Sequence, residues 1–174
     1  TVKVLWRRDL LRFWRQPSRI VGALGQPIIF WLVIGSGMAT TFQLKDASVG
    51  YMEYFYPGVV VMVLLFSSIF ASVSVIEDRH QGFLQAVMAG PASRAAMVLG
   101  KCLGSSSVAL IQVGVFMILA PLAGFFFSDI QWFSMFAILI FASLGLTALG
   151  FGIAWYFDSV QAYHAIQMTL FMPL

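Results

Sequence analysis

Four apolar stretches decide what this chain can become. Residues 20–42, 55–76, 102–128 and 132–156 contain no Asp, Glu, Lys or Arg. Each exceeds the roughly 20 residues a helix needs to cross about 30 Å of hydrocarbon. A fifth stretch, 160–174, starts the same way and stops at the last residue. Barrel strands would be about half as long and would alternate in polarity, so helices are the reading that fits. Composition agrees: 60% of the residues are hydrophobic and 10% charged, against about 25% charged in soluble domains. So few charges cannot cover a water-facing surface, and lipid must be the outer solvent. The expectation is one all-α polytopic transmembrane domain over residues 1–174, truncated at its C-terminus. Residues 1–19 would form an interfacial helix and 77–101 a loop outside the membrane. Cys102 is the one cysteine, so no disulfide can form within the chain. The N-terminus lacks the charged, apolar and small-residue order of a signal peptide.

The basic residues orient the spans. Lys3, Arg7, Arg8, Arg12, Arg15 and Arg19 precede the first, and Arg79, Arg94 and Lys101 lie between the second and third. Lys45, beside Asp46 and Glu53, stands alone on the other side, and the loop around Asp129 has no basic residue. Nine of ten Lys and Arg thus share one side, which the positive-inside tendency makes cytoplasmic. The N-terminus and residues 77–101 are expected there.

Val2, Leu5, Trp6, Leu10, Phe13, Trp14 and Pro17 recur at helical steps, with basic residues on the other face. That pattern predicts a basic amphipathic helix lying in the membrane interface, with Trp6, Arg12, Phe13, Trp14 and Arg15 at headgroup level. It would serve as an anchor, and also as an elbow that touches a cytoplasmic partner.

Several chemistries are argued against. Gly100-Lys101 resembles the end of a phosphate-binding loop, but Ala95 stands where the first glycine belongs and Cys102 where Ser or Thr would hold magnesium. His80 and His164 have no acidic or cysteine partner at ligand spacing within a span. An ionisable residue at mid-depth would cost about 2.5–3.5 kcal/mol on insertion scales and mark a pathway. The spans hold none, which argues against a proton or metal relay and against acid–base catalysis in the membrane. Ser67, Ser68, Ser105 to Ser107, Gln112, Ser143 and Thr147 suit hydrogen bonds between helices. Gly145, Ala148, Gly150, Gly152 and Ala154 crowd the fourth span, which is therefore expected at the centre of the bundle.

The informative segment is 77–101. Glu77-Asp78-Arg79 leaves the second span, and Phe83, Leu84, Val87 and Met88 then make one apolar face of a two-turn helix. Gly90-Pro91 stops it, since proline cannot continue a helix. Such a piece is either a re-entry loop clamped at the interface or a peg for the groove of a soluble partner.

Glu-Asp-Arg, two residues, Gly, an apolar pair, then Gly-Pro-x-Ser-Arg and a later Gly-Lys resemble the ABC type-2 permease family, the membrane subunits of type V ABC exporters. The basic helix ending in Arg15-Gln16-Pro17, followed by Pro27, supports the likeness, which covers the chain in order. Phe83 stands where the family usually has Thr, Gln85 where an acid is frequent, and Gly90 where Ser or Thr is common. The resemblance implies a six-span permease that pairs with a second copy or a paralogue and exports a lipophilic compound or lipid-linked glycan. The setting implied is the plasma membrane, the inner membrane of a bacterium. A separate ABC ATPase subunit would bind ATP and magnesium and drive transport, leaving this chain with no cofactor, no metal, no catalytic residue and no nucleic-acid partner. Glu77, Asp78, Arg79, Gly82, Phe83, Leu84, Val87, Pro91 and Arg94 would then meet the ATPase through a coupling helix. In that reading Glu77 and Arg79 orient the loop, Phe83 and Leu84 fill the partner's groove, and Pro91 fixes the exit angle. A membrane-embedded enzyme and a non-transporting assembly protein are the alternatives.

Overall fold

The computed structural model describes residues 2–39, 50–90, 93–126, 128, 130–157, 159–163 and 165. In order these give α1 (Val2–Trp14), α2 (Pro17–Ala39), α3 (Tyr51–His80), α4 (Phe83–Ala89), α5 (Arg94–Met117), a 3-10 turn (Ala120–Ala123) and α6 (Trp132–Tyr156). There is no strand among the described residues. α2, α3, α5 and α6 are long and apolar enough to cross a membrane. The expected span 132–156 is α6 to the residue. Of 160–174, only 160–163 and 165 are described, as helix.

Two boundaries differ from the sequence reading. α3 has 30 residues, about 45 Å at 1.5 Å per residue, and so outruns the hydrocarbon layer. Glu77, Asp78, Arg79 and His80 form its last turn and are not loop residues. α5 begins at Arg94, eight residues before the expected 102. Ser93 starts it by accepting the Ala96 N–H on its hydroxyl at 3.2 Å, which satisfies one of the free donors of a helix start. Lys101 therefore lies inside a helix.

α3 is the central span and packs against α2, α5 and α6. Trp31 of α2, fully buried, meets Tyr56 of α3 and Phe116 of α5 edge-on, with ring centroids 5.5 and 6.0 Å apart. The Tyr56 hydroxyl donates to the Phe116 carbonyl at 2.9 Å. Val59, Val63, Ala109, Val113 and Leu139 complete this core. Ring pairs of this kind add about 0.5–1.5 kcal/mol each beyond their burial. Ser106 and Ser143 join α5 to α6 through their hydroxyls, the interhelical bonding expected of the serines.

The fourth apolar stretch is not the centre of the bundle. Ser143, Thr147, Gly150 and Ala154 face inward, but nothing lies within 4 Å of a Cβ placed on Gly145 or Gly152, and Phe133, Ile138, Phe141 and Leu149 are exposed. The small residues of α6 are spread around the helix, so only part of them face α3 and α5.

α1 packs one face against the bundle. It lies along α5 at Gly100 and Gly104. A Cβ on Gly100 would come within 3.0 Å of the Leu5 Cβ, and one on Gly104 within 3.0 Å of the Asp9 Cβ. Two glycines one turn apart let the helix backbones close. Trp6 Nε1 donates to Ser107 Oγ at 3.0 Å farther along the same contact. Leu5, Asp9 and Phe13 recur every four residues and so share the inner face. Of the residues expected at the interface, Trp6, Trp14 and Arg15 are outward. Phe13 is buried and Arg12 turns to α3.

Candidate functional site

The last turn of α3, the start of α5 and α1 meet in one ionic cluster. Asp78, with no exposed surface, is its hub. Arg8 donates to it with both terminal nitrogens, at 3.1 and 2.9 Å. Arg12 donates at 3.3 Å to Asp78 and at 2.9 Å to Glu77. Lys101, also buried, bonds the second oxygen of Asp78 and reaches Asp9 Oδ1 at 3.2 Å. Three cations (Arg8, Arg12, Lys101) therefore face three anions (Asp9, Glu77, Asp78). A buried ion costs several kcal/mol to desolvate, and close opposite charges with full hydrogen bonding offset that cost.

The electrostatics of α1 follow. The bond to Asp78 raises the Arg8 pKa, against the opposing effect of burial, so the guanidinium stays charged. Asp9 moves up from the usual carboxylate range because burial outweighs the pull of Lys101 and Arg8.

α4 hangs from this cluster. Gly82, at φ +71°, turns the chain from α3 into α4 in the left-handed region that glycine tolerates. Its carbonyl accepts the Ala86 N–H at 3.0 Å. Leu84 is buried in a second core with Leu5, Val75, Met97, Cys102 and Phe151, and Phe83 and Val87 pack on its edge. The Phe83 ring lies 3.7 Å from the Arg8 guanidinium carbon, so Arg8 faces Phe83 and Asp78 at once. Gln85, Ala86, Met88 and Ala89 form the exposed face.

The residues expected at a partner contact thus separate. Asp78 and Leu84 are buried inside the chain, where charge pairing and apolar packing hold them. Phe83 and Val87 are half-buried, and Gly82 is the turn. Glu77 holds Arg12. Arg79 donates to the Trp155 carbonyl of α6 at 3.0 Å. Arg94 is exposed. Pro91 lies outside the described residues. Arg8, Asp9 and Lys101 are the cluster residues that sequence reasoning missed. Signals existed: Asp9 is the one acid among six bases before residue 20, and Gly100 and Gly104 have the spacing of a close helix contact. Among the described residues no cluster of His, Cys, Asp or Glu could hold a metal ion. The arrangement links a short, partly exposed helix to α1, α3 and α5 through the Phe83–Arg8 contact, the shared ionic cluster and the packing of Leu84.

A family model described as ABC-2 type transporter matches residues 1–174. The ycf38 protein of Cyanophora paradoxa, which carries a transport-permease name, is 27% identical over 124 residues, 70% of this chain and 42% of that protein. Its counterpart in Pyropia yezoensis is 26% identical over the same shares. The daunorubicin resistance ABC transporter permease protein DrrB1 of Streptomyces coeruleorubidus is 24% identical over 160 residues, 92% of this chain and 54% of that protein. The chain spans about half the length of these relatives. No solved structure matches it.

Proposed function

This chain belongs to the ABC-2 type transporter family, and from that premise we propose that it works as an exporter's permease whose α4 is the coupling helix. It is a multi-pass membrane protein and an ABC transporter permease. The further reading is that α1 and α4 face the cytoplasm of a bacterial plasma membrane, that a separate ABC ATPase docks on α4, and that a second permease copy or a paralogue completes the transporter. ATP and magnesium belong to the ATPase. The charge bias of the sequence supports the orientation.

One observation carries this reading: α4 is anchored on one face and open on the other. Leu84 roots it in the core, Arg8 links it to α1 and Asp78, and Gln85 and Met88 remain exposed. A peg of this build passes force. Motion imposed on Met88 by a partner would reach α1, α3 and α5 through Phe83, Arg8 and Asp78. The switch requires the ATP-bound partner to favour one permease state over another. For the substrate, the apolar spans favour a lipophilic compound over a lipid-linked glycan, and the relative named for daunorubicin resistance supports the same choice.

The test uses the exposed face. Met88→Asp is expected to lower ATPase co-purification and substrate-stimulated turnover about tenfold or more, as loss of a central apolar anchor does, with normal amounts of inserted permease. Unchanged binding and turnover in an inserted Met88→Asp permease would sink the coupling role of α4.

A further inference from the structure

The bundle uses only one side of α1. Leu5 and Asp9 lie against Gly100 and Gly104 of α5, and Phe13 is buried on the same face. At about 100° per residue, Lys3, Val4, Arg7, Leu11 and Trp14 fall on the opposite side, within an arc of roughly 100°. All five are exposed, and so is Arg15 just past the helix end. The apolar members stand well clear of the protein, with Val4 69%, Leu11 45% and Trp14 65% exposed.

The bases divide in the same way. Arg8, Arg12 and Lys101 are balanced by Asp9, Glu77 and Asp78. Lys3, Arg7 and Arg15 have no acidic partner among the described residues, so the outer arc keeps its positive charge. Lys3 and Arg7 are one turn apart, close enough to serve one phosphate or two neighbouring ones. Val4 beside Lys3 and Trp14 beside Arg15 add apolar surface at both ends of the row. A lipid answers both features at once, with phosphate for the bases and acyl chain for the apolar side chains. Continuity agrees, since the membrane-crossing helix α2 begins at Pro17, three residues after Trp14. Leu5 and Phe13 are taken by the bundle, so the helix has less apolar surface to insert, and charge must supply more of its hold.

We propose that the outer arc of α1 is a binding site for anionic phospholipid. Lys3, Arg7 and Arg15 hold the headgroup phosphates, and Val4, Leu11 and Trp14 lie among the upper acyl carbons. The site discriminates by charge, so a zwitterionic lipid binds it weakly. It stands whether or not α4 meets an ATPase.

The test is native mass spectrometry of the detergent-solubilised permease, expressed from its complete reading frame, with equimolar phosphatidylglycerol and phosphatidylcholine of identical acyl chains. Each base near an anionic surface changes affinity by roughly fivefold. Phosphatidylglycerol is therefore expected to be retained at least fivefold over phosphatidylcholine. Lys3→Gln with Arg7→Gln and Arg15→Gln should bring the ratio close to one, and Leu11→Ser with Trp14→Ser should lower retention of both lipids. Should the triple variant fail to fold, Arg7→Gln alone is expected to lower the ratio several-fold. Equal retention of the two lipids by the unsubstituted permease would overturn the proposal. So would a preference that the triple variant keeps, which would place the lipid elsewhere. Complete displacement by glycerol phosphate would assign the arc to a free phosphate instead. Loss of ATPase co-purification in the triple variant, with its lipid ratio unchanged, would assign it to an acidic protein surface.

Discussion

Arg8 places its guanidinium carbon 3.7 Å from the centroid of the Phe83 ring while bonding both oxygens of Asp78. One side chain thus joins α1, α3 and α4. A cation over an aromatic face contributes about 0.5–2 kcal/mol, depending on desolvation. Phe83→Leu keeps apolar volume and removes that attraction. It is expected to leave permease yield unchanged and to lower substrate-stimulated ATP turnover several-fold, measured in proteoliposomes with the cognate ATPase. Full stimulation would mean that α4 communicates by another route.

Asp78→Asn should be far more damaging. It removes the charge that Arg8, Arg12 and Lys101 share. A buried ion pair broken from one side typically costs about 3–5 kcal/mol. The expected result is a large drop in melting temperature and faster proteolysis of α1. Adding Lys101→Met, which removes the stranded buried cation, should restore part of the loss. A fully stable single variant would refute the hub role of Asp78.

Asp9 gives a pH dependence of opposite sign to an ordinary paired carboxylate. Burial raises its pKa in the folded state. Its contribution is therefore present below the unfolded carboxylate pKa and is lost as pH rises through the folded value. Acidification from neutrality should strengthen this part of the seat. The difference in melting temperature between the unsubstituted permease and Asp9→Asn should change across the upper carboxylate range and level off above it. A difference independent of pH would show that Asp9 keeps its ordinary pKa.

Gly104→Ala tests the α1–α5 contact. The added Cβ would lie 3.0 Å from both the Cβ and Oδ2 of Asp9. Overpacking of this kind costs about 1–3 kcal/mol. Gly114→Ala, with nothing within 4 Å of its Cβ, is the control on the same helix. Protease protection of α1 should fall in the first variant and hold in the second.

The spans were legible in the sequence because hydropathy is a local property, and α6 matched it from Trp132 to Tyr156. So was a short helix after Glu77-Asp78-Arg79, because Gly82 and Gly90 punctuate it. The partners of Asp78 were not. Arg8 and Asp78 are 70 residues apart, and no periodicity announces a pairing at that range. The start of α5 was missed for a related reason. Lys101 reads as an interface charge until Asp9 and Asp78 are seen to neutralise it. Likewise Leu5 and Phe13 looked like membrane-facing residues, because sequence cannot tell lipid from a glycine-lined groove on a neighbouring helix.

The shielding of Asp78 and Lys101 gives the elbow two grips that salt can tell apart. Lys3, Arg7 and Arg15 are exposed, and if α1 seats at the interface as its sequence implies, their hold on anionic headgroups would fade as the Debye length shrinks from about 10 Å at 0.1 M to 3 Å at 1 M. Mobile ions cannot enter between Lys101 and Asp78, which have 1% and no side-chain exposure, so screening leaves that contact intact. At high ionic strength the helix would let go of the bilayer surface yet stay bolted to the bundle.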